Sequence, residues 1–228
     1  MADLHYDLLD AARLYELPAP AIELLLRHQP LIISAITAGG KSTIAERIIE
    51  KSNYRHVITH TTRPIRSDEV NGVNYWFVDE SEMLELIKSG AFIEVQPIHG
   101  EFVYGTSIDA YKSVITGGHK PLLVIDVQGI KEIITSVPDI KPVFILPPNY
   151  ESWIDRLHSR GVMSHVERSR RLESAKAEIE TVLADPHFVM VINNDVERTA
   201  DEILQGPTIV NQYKSHEIAQ QLIDNIKT

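Results

Sequence analysis

The sequence predicts an α/β protein with a parallel sheet flanked by helices, and three stretches carry that expectation. The first, Leu31 to Ile44 (LIISAITAGGKSTI), opens with a short apolar run, passes through Gly39-Gly40 and enters a helix that continues as TIAERIIEK. The second, residues 121–127 (PLLVIDV), is a continuous apolar run ending in Asp126-Val127, the mark of a central strand covered on both faces. The third, residues 143–146 (VFIL), is another buried strand, closed by Pro147-Pro148.

Strand, Gly-rich turn, Lys-Ser and helix is the setting in which a P-loop acquires physical meaning. Backbone N–H groups of such a turn, with the helix N-terminus behind them, make a concave site for phosphates. Ala35, Ile36, Thr37, Ala38, Gly39, Gly40, Lys41, Ser42 and Thr43 are the residues of that phosphate site. Lys41 would reach the β- and γ-phosphates as a mobile point charge, and the Ser42 hydroxyl would hold Mg²⁺. Counting back from Lys41, the first glycine of G-x-x-x-x-G-K-[ST] falls on Ala35, where an alanine costs freedom if the turn needs positive φ. The competing account is an ordinary β-turn-α connection that contains Gly-Lys-Ser.

The 228 residues suffice for one sizeable α/β core with small insertions, and 43% hydrophobic with 24% charged residues is ordinary for a globular protein. A formal charge of −10 argues against broad nucleic-acid binding, though a small phosphorylated ligand needs only a local Arg/Lys cluster. The absence of cysteine leaves no disulfide framework and no thiolate chemistry. MADLHYDLLD carries acids where a signal peptide would carry bases, and no apolar run approaches membrane-spanning length, so the expectation is a cytoplasmic protein with no membrane partner.

Residues 3–28 read as a helical hairpin, with Leu4, Leu8, Leu9 and Ala12 at helical spacing, Pro18 and Pro20 interrupting, and Ile22, Leu25 and Leu26 resuming. It is expected to pack on the core or on a partner subunit. Residues 56–60 (HVITH) read as a short strand that would place His56 and His60 on one face; with no third ligand at metal spacing, a metal site is not inferred. Asn71-Gly72 marks a tight turn, and Val73, Tyr75 and Phe77 alternate as in a strand. Arg63 and Arg66 lie in a Pro-containing loop just before it and suit multidentate capture of a phosphate, or are two solvated surface arginines.

Residues 80–89 read as a short helix, followed by strand, turn, strand and a helix closed by Gly117-Gly118. Glu94 is an acid inside an otherwise apolar strand and needs a partner if buried. Asp126 stands at the C-terminal end of its strand, where open α/β sheets bind ligands, and could order Mg²⁺-bound water. Ser152 to Ala184 reads as helical and rich in arginine, with a capping box at Ser164–Glu167 and a stripe of Val166, Leu172, Ala175, Ile179 and Leu183. Its arginines around Arg160-Gly161 form either a solvated basic face or a lid over a triphosphate. Residues 188–192 (FVMVI) are the last strand, and 208–228 a terminal amphipathic helix.

In order and spacing, residues 31–204 resemble the guanylate kinase family. THTTRPIRSDEVNGVNYWFV is similar to the family's GMP-loop signature, FIEV…YGTS to the second half of its monophosphate subdomain, IDVQG to its central strand, and ILPP, RLHSRG…RRL and VINND to its later core and lid segments. The resemblance implies a P-loop NTPase-type fold with an inserted GMP-binding subdomain and a helical lid, transferring phosphate in line from ATP with Mg²⁺ to GMP. The implied organisation is an N-terminal helical extension (1–30), a guanylate-kinase-like domain (31–206) and a C-terminal helical extension (207–228). Within the domain, 31–57, 116–146 and 185–206 form the core, 58–115 the GMP-binding subdomain, and 147–184 the lid and following helix.

By that similarity Arg63, Arg66, Tyr75 and Tyr104 bind the GMP phosphate, Glu94 and Thr106 read the guanine edge, and Thr59 and Asp126 lie near the substrate. Lys41, Arg63, Arg160 and Arg171 are the catalytic cations, the last two from the lid; Asn193 lies near the adenine of ATP; Ser42 and Asp126 serve the metal. GMP and ATP are the expected partners, nucleic acid is not, and the terminal helices suit a homo-oligomer. The chain departs from the family pattern in three places. Ala35 and Ala38 replace P-loop glycines, Val124 stands where an acid commonly precedes Asp126 by two residues, and one residue is inserted between Glu94 and Tyr104. The rival implied by those departures is a catalytically weak domain that binds GMP or a phosphopeptide as an interaction module; another is a kinase of a different phosphorylated acceptor.

Overall fold

A computed structural model describes residues 4–98, 100–159, 164–206 and 208–226. The chain begins with helices α1 (Leu4–Arg13) and α2 (Ala19–Arg27), strand β1 (Leu31–Ala35) and helix α3 (Lys41–Lys51). Strands β2 (Tyr54–His56), β3 (His60–Thr61) and β4 (Trp76–Phe77) follow, then helix α4 (Glu80–Lys88), strands β5 (Phe92–Ile98) and β6 (Phe102–Ser107), and helix α5 (Ile108–Thr116). The remainder is β7 (Lys120–Val124), α6 (Val127–Ser136), β8 (Val143–Leu146), α7 (Tyr150–His158), α8 (His165–Ala184), β9 (Val189–Ile192), α9 (Val196–Gln205) and α10 (Ile209–Asn225). A five-stranded sheet runs in the order β2-β7-β1-β8-β9 and a four-stranded sheet in the order β4-β3-β6-β5. No helix among the described residues is long and apolar enough to cross a membrane.

The described residues divide into two compact units. One takes in Leu31–Tyr54, Val124–Val127 and the described part of Lys141–Thr228. Here β1 pairs in parallel with β8, and β8 with β9, as the apolar runs require. Helix α3, which follows the Gly-rich turn, buries Ile44, Ala45 and Ile48, and its Arg47 and Lys51 make partly exposed ion pairs with Glu197 and Asp201 of α9. The Gln212 side chain of α10 bonds both main-chain groups of Met190 on β9, accepting from its N–H at 2.9 Å and donating to its carbonyl at 2.8 Å.

The other unit contains the described part of Met1–Pro30 with Arg55–Leu123 and Gln128–Ile140. Its antiparallel β5–β6 hairpin is buried against α1 and α4 through Leu8, Leu9, Ala12, Met83, Leu84, Ile87, Phe92, Val95 and Val103. Pro20 opens α2 at its first turn instead of only interrupting the pattern, because a proline there forfeits no helical hydrogen bond. Ala21 and Leu25 are the buried residues of that helix, while Leu26 is exposed.

Several local expectations are corrected. Residues 56–60 are not one strand: β2 ends at His56 and β3 begins at His60, in different sheets, so the two histidines share no strand face. Val73 and Tyr75 lie in a turn closed by the Gly72 N–H to the Tyr75 carbonyl at 2.8 Å, and only Trp76–Phe77 is strand. The strand at 121–127 ends at Val124, so Asp126 stands just past it. On α8 the buried stripe is Leu172, Ala175, Ile179 and Val182; Val166 is 81% exposed, and Leu183 is only partly buried. Ser164 caps α8 by accepting from Glu167 N–H, but the Glu167 carboxylate turns to Arg171 and leaves the box half-made.

One part-buried acid of this unit contributes to its pH response. Glu132 on α6 accepts from the Gln96 side chain and the Val95 N–H, and burial pushes its carboxyl up to about 7. A folded-state value above the unfolded one means the stabilising neutral form is complete below about pH 4.5 and lost as pH rises through about 7. Glu132→Gln, which keeps the acceptor without the charge, is therefore expected to match the parent chain near pH 4 and to exceed its stability at pH 8. After allowance for partial solvent exposure the gain is about 1–2 kcal/mol, read by urea unfolding at both pH values.

Candidate nucleotide-binding site

The Gly-rich turn occupies residues 36–40, between the end of β1 and the first residue of α3. Ala35 is the last residue of β1 in extended backbone, so the alanine there carries no positive-φ cost. The strain falls on Ala38 (φ 60°), the sole non-glycine residue at positive φ among those described, while Gly40 takes φ 100°. A Cβ on Gly39 would lie 2.9 Å from both Ala35 Cβ and the Ile36 carbonyl, so that position admits only glycine.

The turn is held from outside. Asn193, just past β9 and 3% exposed, donates from Nδ2 to the Gly39 carbonyl at 3.0 Å, and Arg156 of α7 donates to the Asn193 carbonyl at 3.0 Å. Trp153 of α7, wholly buried, donates from Nε1 to the Thr37 carbonyl at 2.8 Å. Lys41 and Ser42 open α3, and Lys41 Nζ reaches Asp126 Oδ1 at 2.9 Å, joining the end of the Gly-rich turn to the end of β7. Glu178 of α8 feels the same pair. Burial pushes its carboxyl up to about 7, the Asp126 charge adds to the rise, and Lys41 opposes it. Arg171 is paired with Glu167 at 2.6 Å on α8; Arg160 lies outside the described residues.

The second constellation belongs to the other unit. Arg63 donates from Nε to the Tyr104 hydroxyl at 3.1 Å, from Nη1 to the Pro64 carbonyl at 2.7 Å and from Nη2 to Glu69 at 2.6 Å. Its guanidinium lies 5.5 Å from the ring centroids of both Tyr75 and Phe77. Glu69 also accepts from the Arg66 N–H at 2.9 Å, while the Arg66 side chain is exposed. Hydrogen bonding to Arg63 holds the Glu69 carboxyl below its ordinary range. Thr59 is buried, and its carbonyl accepts from Trp76 N–H at 2.9 Å.

Glu94 is 3% exposed and accepts from the Thr106 hydroxyl at 2.6 Å. Pairing passes from Phe92↔Ser107 directly to Glu94↔Thr106, so Ile93 forms a bulge that sets Glu94 opposite Thr106. Gly129, in the first turn of α6, gives the carboxylate its room: a Cβ there would stand 2.8 Å from Glu94 Oε2.

The structure thus gathers Ala35–Thr43, Asp126 and Asn193 in one unit, and Arg63, Tyr75, Tyr104, Glu94 and Thr106 in the other. Sequence reasoning missed Glu69, Glu178 and Trp153. Glu69 follows Arg63 by six positions among other acids, and nothing local separates it from Asp68; Trp153 and Glu178 reach the turn and its lysine only through the fold.

A parallel strand, a Gly-rich turn with two left-handed residues, and a helix opening on Lys-Ser define a P-loop protein of the α/β class. The guanylate kinase family model matches residues 27–206. The guanylate kinase of Neisseria gonorrhoeae is 39% identical over 175 residues, which are 76% of this chain and 83% of that protein. That of Nostoc sp. is 34% identical over 174 residues, 76% of this chain and 86% of its own. The crystal structure of guanylate kinase from Anaplasma phagocytophilum superposes with a TM-score of 0.60 at 28% identity, covering 85% of this chain and 94% of that one. The chain belongs to the guanylate kinase family.

The left-handed alanine supplies a direct check on the turn. Ala38→Gly removes an αL cost of about 1–2 kcal/mol and restores roughly 0.5–1 kcal/mol of unfolded-chain entropy, so a net gain of about 0.5–1 kcal/mol is expected in denaturant unfolding. Asn193→Ala, which strips a buried carbonyl of its donor, is expected to lower stability by about 1–3 kcal/mol in the same assay.

Proposed function

We propose that this chain phosphorylates GMP to GDP with ATP. The observation that carries the choice of acceptor is the buried Glu94–Thr106 pair. Guanine offers N1–H and N2–H donors side by side, and an ionised carboxylate accepts both; adenine lacks that pair, so AMP would leave the buried acid mismatched. Arg63 uses three of its five N–H donors within the protein, and the remaining two suit phosphate oxygens. Arg66, Tyr75 and Tyr104 complete the phosphate contacts, with Thr59 behind them.

On the donor side the N–H groups of residues 35–43 and the α3 N-terminus receive the ATP phosphates, and Lys41 supplies mobile positive charge. Asp126 holds that ammonium beside the turn at 2.9 Å. The Ser42 hydroxyl and the Asp126 carboxylate are hard oxygen donors, a set that fits Mg²⁺. Held by those two oxygens, Mg²⁺ would neutralise charge on the phosphates. A GMP phosphate oxygen is already anionic, so positioning and charge neutralisation suffice and no strong base is needed. Arg160 and Arg171 supply the remaining positive charge from the lid, and Asn193 keeps the turn in shape near the adenine side. In this reading residues 31–206 are the catalytic domain, 58–115 bind GMP, 147–184 form the lid, and the enzyme works in the cytoplasm.

Coupled measurement of GDP formation from GMP, ATP and Mg²⁺ tests the proposal. Turnover with GMP but not AMP or UMP is expected, and Lys41→Ala should reduce kcat by at least about 100-fold. AMP or UMP phosphorylated as well as GMP would overturn the guanine assignment. Retained GMP binding without turnover would overturn the kinase assignment.

A further inference from the structure

The acid that faces the acceptor base stands on β5, an edge strand of the four-stranded sheet. Tyr15, between α1 and α2, reaches that edge from outside the span matched by the family model, which begins at residue 27. Its hydroxyl donates to the Phe92 carbonyl at 2.7 Å and accepts from the Phe92 N–H at 3.0 Å. One phenol, donor and acceptor together, satisfies both main-chain groups of a residue on a strand with a single sheet neighbour. The tyrosine ring meets the Phe92 ring edge to face at 6.5 Å, and Leu8, Leu9 and Ala12 of α1 pack in the same cluster as Phe92 and Val95.

Phe92 is also where the β5–β6 ladder leaves regular register: Ile93 bulges, and Glu94 is set opposite Thr106. Beyond Glu94, the Gln96 side chain donates to Glu132 of α6. The acid therefore lies between two held points, one of them supplied by the segment before the matched span. The geometry points to Tyr15 as a positioning residue for guanine recognition: by gripping Phe92 through both backbone groups it fixes the bulge, and with it the aim of the Glu94 carboxylate. This rests on the reading of Glu94 as the group that meets guanine N1–H and N2–H.

The test uses the full chain and compares equilibrium affinity for GMP with that for inosine 5′-monophosphate, which lacks the N2 amino group. Steady-state KM values for GMP and ATP are measured alongside. Tyr15→Phe is expected to lower the GMP/IMP affinity ratio about tenfold and raise KM for GMP, with kcat and KM for ATP within about twofold of the parent. Leu9→Ala loosens the same packing without touching the Phe92 bonds, so it should lower the melting temperature and leave the ratio unchanged. The ratio is independent of the fraction of folded protein, so it remains readable in a destabilised variant. Glu94→Gln separates the two layers. If it collapses the ratio while Tyr15→Phe does not, or if Leu9→Ala lowers the ratio as far as Tyr15→Phe, the role of Tyr15 is overturned and that of Glu94 stands. If Glu94→Gln leaves the ratio unchanged, the guanine reading fails and the positioning role falls with it.

Discussion

A short backbone segment has to reverse sharply between β1 and α3, and the unit that contains it is arranged around that demand. Residues 36–40 meet it with two left-handed residues, Ala38 and Gly40. A chain left to itself would relax from such a conformation, since αL is costly for alanine. The shape persists because neighbouring elements grip its carbonyls: Trp153 at Thr37 and Asn193 at Gly39. Arg156 then fixes Asn193, and buried Ile44, Ala45 and Ile48 seat the helix on the far side. Strain in the turn and buried hydrogen bonds around it are two sides of one arrangement.

The other unit solves a different problem, that of keeping carboxylates where solvent is scarce. Glu94 is given a hydroxyl donor and the space over a glycine, and Glu69 is given a guanidinium. Glu132 is given a carboxamide and a main-chain N–H, yet burial still drives its proton affinity upward. The three acids differ in partner, and for Glu69 and Glu132 the direction of the pKa shift differs with them. Arg63 holds the Glu69 carboxyl low, whereas burial outweighs the Gln96 and Val95 hydrogen bonds at Glu132 and raises it.

What was legible in the sequence follows from range. The β1–turn–α3 unit, the β5–β6 hairpin and the cap at Ser164 are written in neighbouring residues, and the structure contains all of them. His56 to His60 misled because alternation cannot reveal that a chain changes sheets between two residues of the same type. Val73 to Phe77 misled because Asn71-Gly72 governs a longer turn than two residues. The doubt about alanine in the turn was correct in kind but belonged at Ala38, since Ala35 is still strand. Tyr15 on Phe92, Trp153 on Thr37 and Gln96 on Glu132 join residues far apart in sequence, and no local pattern announces them.

The two segments outside the matched span share a device. Tyr15 ties both main-chain groups of Phe92 on the outer strand of one sheet, and Gln212 ties both main-chain groups of Met190 on the outer strand of the other. Neither residue lies within the matched span of 27–206. A chain trimmed to that span would present two bare ladders of amide and carbonyl groups, each a template on which a strand of another copy could add. The segments outside the matched span thus act as selvedges: each finishes one edge strand at a residue whose main-chain groups would otherwise lack that partner.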